Sequence, residues 1–295
     1  MSSSIDLYLA SLKAAMKKAD PALIQDAQAD AREHFTQALA ETLASNPTLT
    51  EETAMQKLIE DYGTPEETAA AYNEIERRTT IALKPASGST SLLGKIFNVY
   101  IDPRTWGSLL YMTIAFVTGI VYFTWVVTGV SLSVSMLILI IGLPLAILFL
   151  LSVQGLALLE GRLVEALLGV RMPRRPAFAQ AGLGWLDRLK ALLSDRHTWI
   201  SMLYMVFQLP LGTLYFVINV VLFSVSLTCL ATPIAYLFMQ GISFEIGPNA
   251  FSALNLKYLP IILPILGLAL LTLTMHLARA IGQLHARYAK WLLVD

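Results

Sequence analysis

The chain has 295 residues, 56% of them hydrophobic and only 14% charged, with a mean hydropathy of +0.61. A soluble domain carries about 25% charged residues, so this composition excludes an ordinary soluble protein and points to a membrane. The net charge is zero, yet residues 1–85 hold fourteen Asp/Glu against eight Lys/Arg, and residues 86–295 hold seven against thirteen. An acidic polar part therefore precedes a basic apolar part, and neither has the dense basic stripe of a direct nucleic-acid binder.

From the N-terminus, MSSSIDLYLASLKAAMKKAD reads as a polar amphipathic helix and not as a cleavable signal, because it lacks an apolar core behind a basic start. Asp20-Pro21 supplies an N-cap and a first helical proline for a long helix reaching about Ala44. Its apolar residues Leu23, Ile24, Ala27, Ala31, Phe35, Leu39 and Leu43 recur at helical spacing. Thr50 opens a third helix. In DYGTPEETA, Gly63 suits a left-handed C-cap, Thr64 an N-cap, Pro65 the first helical turn, and Glu67 completes a T-x-x-E capping box. Residues 1–82 thus read as a four-helix domain and 83–90 as a linker. The exposed carboxylates Glu66 and Glu67 are its candidate partner-binding residues.

Beyond the linker the chain repeats itself. DPRTWGSLLYM from Asp102 returns as DRHTWISMLYM from Asp195, and at that offset of 93 eleven of 26 positions coincide. Among them are Thr105/Thr198, Trp106/Trp199, Tyr111/Tyr204, Gly119/Gly212 and Tyr122/Tyr215. Fixed-offset self-similarity identifies a duplicated module, with membrane repeat 1 over 91–183 and repeat 2 over 184–295. Each repeat opens with a short amphipathic segment suited to the membrane surface, at 91–101 and 184–193. A helix needs about 20 apolar residues to cross a bilayer. That length places spans at 107–129 and 134–157, with a turn near 128–133, and at 200–225 and 258–279. The stretch 231–256, broken by Pro233, Gly241, Gly247 and Pro248, reads as an external hairpin or surface segment. Lys and Arg crowd residues 160–197 and the stretch after 279, which predicts cytoplasmic N- and C-termini and four spans. Two spans per repeat keep both repeats in one orientation.

Candidate chemistry is sparse. No Asp, Glu or Lys falls within those spans, and the one Arg, Arg279, stands at the terminal position of the last, which counts against ion-coupled transport. Gln208 and Asn219 suit interhelical hydrogen bonds, and His276 suits an anchor at the cytoplasmic end of the last span. Trp106, Tyr111, Trp199 and Tyr204 are candidate interface anchors, since amphipathic rings favour headgroup depth. Asp102 and Asp195 are candidate N-caps for the helices that carry them. Arg171, Arg174 and Arg175 form a basic cluster beside the membrane, read first as part of the positive-inside signal and otherwise as facing anionic lipid or the acidic N-terminal domain. The histidines and the single Cys229 share no ligand spacing, and no hydrolase, metalloprotease or nucleotide-binding motif occurs. The sequence therefore predicts no catalytic residue, metal or cofactor.

Two resemblances follow from these motifs. IDLYLASLKAAM, the helix containing AREHF, and AMQKLIEDYGTPEETAAAY resemble the HAAS-type helical signalling domain, with Tyr62 where that family usually has leucine before the glycine. The two Asp-x-x-Thr-Trp copies, IGLPLAILF and LALLEGRLVEALLG resemble a bacterial membrane sensor domain over about 91–294. The HAAS resemblance implies a PadR-type transcriptional regulator as partner.

The predicted fold is all-α: a cytoplasmic four-helix domain plus a polytopic membrane domain of four transmembrane helices in two tandem repeats, with interfacial helices. The predicted function is non-enzymatic signalling in the bacterial inner membrane, with membrane lipids and a cytoplasmic regulator as partners and with homo-oligomerisation left open. The alternative is a small transporter or permease subunit. Repeated modules suit both, and uptake into proteoliposomes would separate them.

Overall fold

The structure is a computed structural model that describes residues 3–46, 48–79, 92–136, 142–174, 185–239 and 259–294. Among these residues every regular element is a helix. Ten α-helices are described: α1 (Ser3–Ala15), α2 (Pro21–Ser45), α3 (Glu51–Tyr62), α4 (Pro65–Thr79), α5 (Leu92–Phe97), α6 (Pro103–Met136), α7 (Gly142–Leu168), α8 (Trp185–Ser194), α9 (Arg196–Met239) and α10 (Leu259–Val294). A 3-10 turn, Asn98–Tyr100, follows α5. Four of the helices, α6, α7, α9 and α10, are long and apolar enough to cross a membrane.

Their lengths correct the sequence-based boundaries. The turn expected near 128–133 is absent, and α6 runs on to Met136. Gly129 is an isolated glycine there, which weakens a helix without ending it. At Pro233 α9 continues to Met239, so the N-terminal part of the expected external segment is helical. The rest of that segment, like the linker 83–90, lies outside the described residues. With 44 residues α9 measures about 66 Å, roughly twice what a hydrocarbon core requires.

Packing divides the chain into two compact units. One comprises residues 1–82, 122–206 and 286–295, and the other 83–121 and 207–285. The division cuts across the sequence repeats, because α6, α9 and α10 each contribute a part to both units.

In the first unit the N-terminal helices gather around the buried stripe Leu23, Ala27, Ala31, Phe35 and Leu39 of α2. The constant step of four residues puts these side chains on one helix face. Tyr8, Leu9 and Leu12 of α1, Met55 of α3 and Ala69 of α4 pack on that face. Truncating a buried Phe35 to alanine would cost about 3–5 kcal/mol. The caps form as the sequence predicts. Asp20 accepts from the Ala22 amide at 2.9 Å. Thr64 N donates to Glu67 Oε2 at 2.9 Å, while Glu67 N donates to Thr64 Oγ1 at 3.3 Å. The bonds that the Thr64 amide and hydroxyl donate to the Glu67 carboxylate, the amide first, hold that carboxyl below the usual carboxylate range.

Gly63 has φ 110° and ψ 154°, an extended positive-φ conformation in place of the expected left-handed one. That region is essentially restricted to glycine. Its carbonyl accepts a hydrogen bond of 2.9 Å from Tyr8 Oη, and Thr68 Oγ1 lies 3.0 Å from the same phenol. The tyrosine of the opening helix therefore locks the corner 55 residues away.

In the second unit α6 and α9 cross at the duplicated glycines. A Cβ on Gly119 would stand 2.7 Å from the Gln208 carbonyl oxygen, and one on Gly212 would run into the Ala115 carbonyl. Small residues let two backbones approach, which is how helices associate where no hydrophobic force separates helix from lipid. Val99, Leu109, Met112, Met275 and Ala278 form the buried cluster of this unit.

Candidate signalling interface and paired tyrosine clamps

The duplicated Asp-x-x-Thr-Trp motif shows why the residues recur. Asp195 accepts from the His197 and Thr198 amides at 3.1 Å, and Asp102 accepts from the Arg104 amide at 3.1 Å. Both aspartates cap helix starts, where the helix dipole favours negative charge. Asp102 also pairs with Arg279 at 3.1 Å. Trp106 Nε1 donates to the Tyr100 carbonyl at 2.9 Å, and Trp199 Nε1 donates to the Leu193 carbonyl at 2.8 Å. In each copy the acceptor stands six residues before the tryptophan. The motif is a built corner that ties each apolar helix to the short segment ahead of it.

The four rings grouped as interface anchors separate into two kinds. Trp106 and Trp199 are about half exposed, at 51% and 52%, whereas Tyr111 and Tyr204 are buried, at 1% and 0%. Five residues along a helix turn a side chain by about 140°, so a tyrosine at that spacing faces away from its tryptophan. The two buried tyrosines belong to hydrogen-bonded clamps.

In the first unit Glu160 of α7, 1% exposed, receives the Tyr122 hydroxyl at 3.1 Å and the Tyr204 hydroxyl at 3.0 Å. These bonds join α6, α7 and α9 at one point. The spans drawn from the sequence ended at 157, before this carboxylate. α7 runs on to Leu168, so this carboxylate lies beyond the predicted span but within a helix long enough to cross a membrane. A buried carboxylate is tolerated where hydrogen-bond donors replace its water.

In the second unit His285 of α10, 1% exposed, occupies the comparable place. Tyr111 Oη lies 2.5 Å from its Nε2 and Tyr215 Oη 3.3 Å from its Nδ1. Gln208 Nε2 donates to Tyr111 Oη at 3.2 Å. With that donation, the arrangement that satisfies the ring has Tyr111 donating to Nε2 and Nδ1–H donating to Tyr215. Gln208 and Asn219 make the interhelical bonds expected of them, Asn219 Nδ2 donating to Thr113 Oγ1 at 3.3 Å. His276 Nε2 lies 3.1 Å from the Ile96 carbonyl.

The two clamps correspond by sequence. Tyr122 matches Tyr215 and Tyr111 matches Tyr204 at the offset of 93. A second offset of 125, widened by the insertion in repeat 2, aligns α7 with α10. It matches Gly142/Gly267, Leu143/Leu268, Leu159/Leu284, Arg162/Arg287 and Leu168/Leu293. In that register Glu160 stands opposite His285. This alignment is the sequence signal that sets Glu160 against His285, and the single offset misses it because that offset stops at the insertion.

The basic cluster after α7 meets the N-terminal helices. Arg171, with its side chain 14% exposed, reaches Asp26 at 3.1 Å through Nη2 and pairs with Glu76 through Nη1. Arg174 donates its backbone amide to Asp26 Oδ1 at 2.6 Å, and its guanidinium pairs with Glu165 at 3.0 Å. Near the end of α10, Lys290 pairs with Asp20 at 2.5 Å. Of the two environments open to this cluster, Arg171 is packed on the acidic domain. Arg174 is exposed, and Arg175 lies outside the described residues. Glu66 and Glu67 are both exposed, and the Glu67 carboxylate serves the capping box. Among the described residues no group of three or more His, Cys, Asp or Glu could hold a metal ion.

With this geometry in place, comparison with known families gives two matches. The family described as "Putative sensor" matches residues 111–293, and the HAAS family matches residues 7–71. No curated protein and no solved structure matches the chain.

Proposed function

Because the chain belongs to the bacterial sensor family and carries a HAAS domain ahead of its membrane helices, we propose that it is a non-enzymatic sensor of the bacterial inner membrane. In this reading the membrane module holds the HAAS domain in a latched state and releases it on stimulation. The released helices engage a cytoplasmic regulator of the PadR type, the partner implied by the HAAS resemblance, through a surface that includes Glu66 and Glu67.

The observation that carries this reading is Arg171, packed between Asp26 of α2 and Glu76 of α4. Removing one member of such a partly buried pair costs far more than an exposed pair contributes, because the remaining charge keeps its desolvation penalty. A shift at the end of α7 would therefore change the docking equilibrium steeply. A stimulus acts by favouring one arrangement over the other, and only its difference in affinity counts. Docking of the N-terminal helices on both the 171–174 segment and the end of α10 also supports a single side for all three, which the Lys/Arg distribution would make cytoplasmic.

The test compares capture of the regulator by full-length protein in detergent. Arg171→Glu should capture more than wild type, and Glu66→Lys should capture less, with equal membrane insertion of all three. Capture that ignores Arg171→Glu, together with an unchanged proteolysis pattern between residues 80 and 91, would sink the latch.

A further inference from the structure

Hydroxyl side chains in the long apolar helices commonly bond a carbonyl one turn back in their own helix. Ser108 does so to Arg104, Thr213 to Leu209, Ser226 to Leu222 and Thr274 to Leu270. Ser133 of α6 departs from this pattern. It is 7% exposed, and among the described residues its Oγ has no hydrogen-bond partner. Leaving a buried hydroxyl unsatisfied forfeits its hydrogen bonds to water without replacement, so the position calls for an acceptor or donor from elsewhere.

Ser133 lines a pocket of about 210 Å³ between α6 and α7, walled by Trp125, Leu132, Leu148 and Phe149. Thr128, also at its edge, is exposed, and two further polar groups there serve each other. Trp125 Nε1 donates to Ser152 Oγ at 2.8 Å, and Ser152 donates to the Phe149 carbonyl at 2.6 Å. The volume exceeds the roughly 150 Å³ that accepts benzene but falls below the 300 Å³ or so of a drug-sized site. It suits a segment of one alkyl chain. Among the described residues no charged side chain lines it, so a bare carboxylate or ammonium would enter unneutralised. Ser133 also lies three residues before the end of α6, where the polar end of a chain would be met.

We propose that this pocket binds the upper part of a bilayer lipid's acyl chain, with the Ser133 hydroxyl donating to the ester carbonyl. The site deepens the sensing reading by giving the membrane module a lipid ligand. Its test is read without regulator or latch, so failure of one leaves the other standing.

The probe is a phosphatidylglycerol with a diazirine on its acyl chain, in vesicles containing the full-length protein. After irradiation, mass spectrometry should locate the label on peptides covering 125–133 and 145–152. The ether-linked analogue, which lacks the carbonyl, should label about five-fold less, the factor expected for one neutral hydrogen bond. Ser133→Ala should abolish that ester-over-ether preference while leaving protein yield unchanged. Leu148→Trp, at an exposed rim position, should lower labelling by both lipids. Equal labelling by ester and ether lipids in wild type, a preference that survives Ser133→Ala, or label spread evenly over all four long helices would each overturn the proposal.

Discussion

The two tyrosine clamps use the same framework around opposite chemistry. Glu160 can accept hydrogen bonds from Tyr122 and Tyr204 alike, because an ionised carboxylate is acceptor-only. A neutral His285 has one donor and one acceptor, so Tyr111 and Tyr215 take different roles, and Gln208 fixes which. Duplication supplied equivalent tyrosines, and the two copies then diverged at the residue between them. The first clamp sets two hydroxyl donors on one carboxylate. The second sets two tyrosines on the two nitrogens of one ring, with Gln208 as an added support.

The largest effect should come from emptying each centre. Glu160→Ala leaves two buried hydroxyls without their shared acceptor and should cost about 3 kcal/mol. His285→Ala should cost less, about 2 kcal/mol, because only one hydroxyl, that of Tyr111, loses the acceptor it had in the ring. Thermal unfolding of the full-length protein in detergent measures both. A larger loss for His285→Ala would reverse the order argued here.

A smaller change should make the first clamp work like the second. In Glu160→Gln the amide oxygen accepts from one tyrosine while the amide nitrogen donates to the other. The expected loss is about 1 kcal/mol, the difference between charge-assisted and neutral hydrogen bonds. Destabilisation equal to that of Glu160→Ala would mean that the charge itself, and not two-sided hydrogen bonding, holds the clamp.

The smallest effect separates the first clamp from the corner in the same unit. The folded Glu67 carboxyl lies below its ordinary value, so its contribution is present above the ordinary carboxylate range and is lost as pH falls through the lowered value. The gap in thermal midpoint between wild type and Glu67→Gln should therefore close on acidification, while Glu160→Gln keeps its own gap near neutrality. A wild-type advantage over Glu67→Gln that persists at acid pH would remove the capping box as its source.

Local signals made much of this molecule legible in advance. Asp20-Pro21, Thr50 and the Gly63–Glu67 corner fixed the N-terminal helices, because caps and φ limits act over a few residues. The four apolar runs announced four long helices, and the repeated Asp-x-x-Thr-Trp announced a repeated corner. Where those helices stop was less legible, since span length was read from the first charge, and Glu160 lies inside a helix that satisfies it with tyrosines.

Only the tertiary structure decided which partner each polar group has. Composition alone could not choose whether Arg171 meets lipid or protein; proximity to Asp26 and Glu76 makes that choice. Nor could helical spacing reveal that Tyr111 is bonded to His285, 174 residues away. Hydrophobicity and capping are properties of single residues and their near neighbours, and a sequence displays them directly. A buried hydrogen bond is a property of two distant residues, and its energy exists only once packing has excluded water from both.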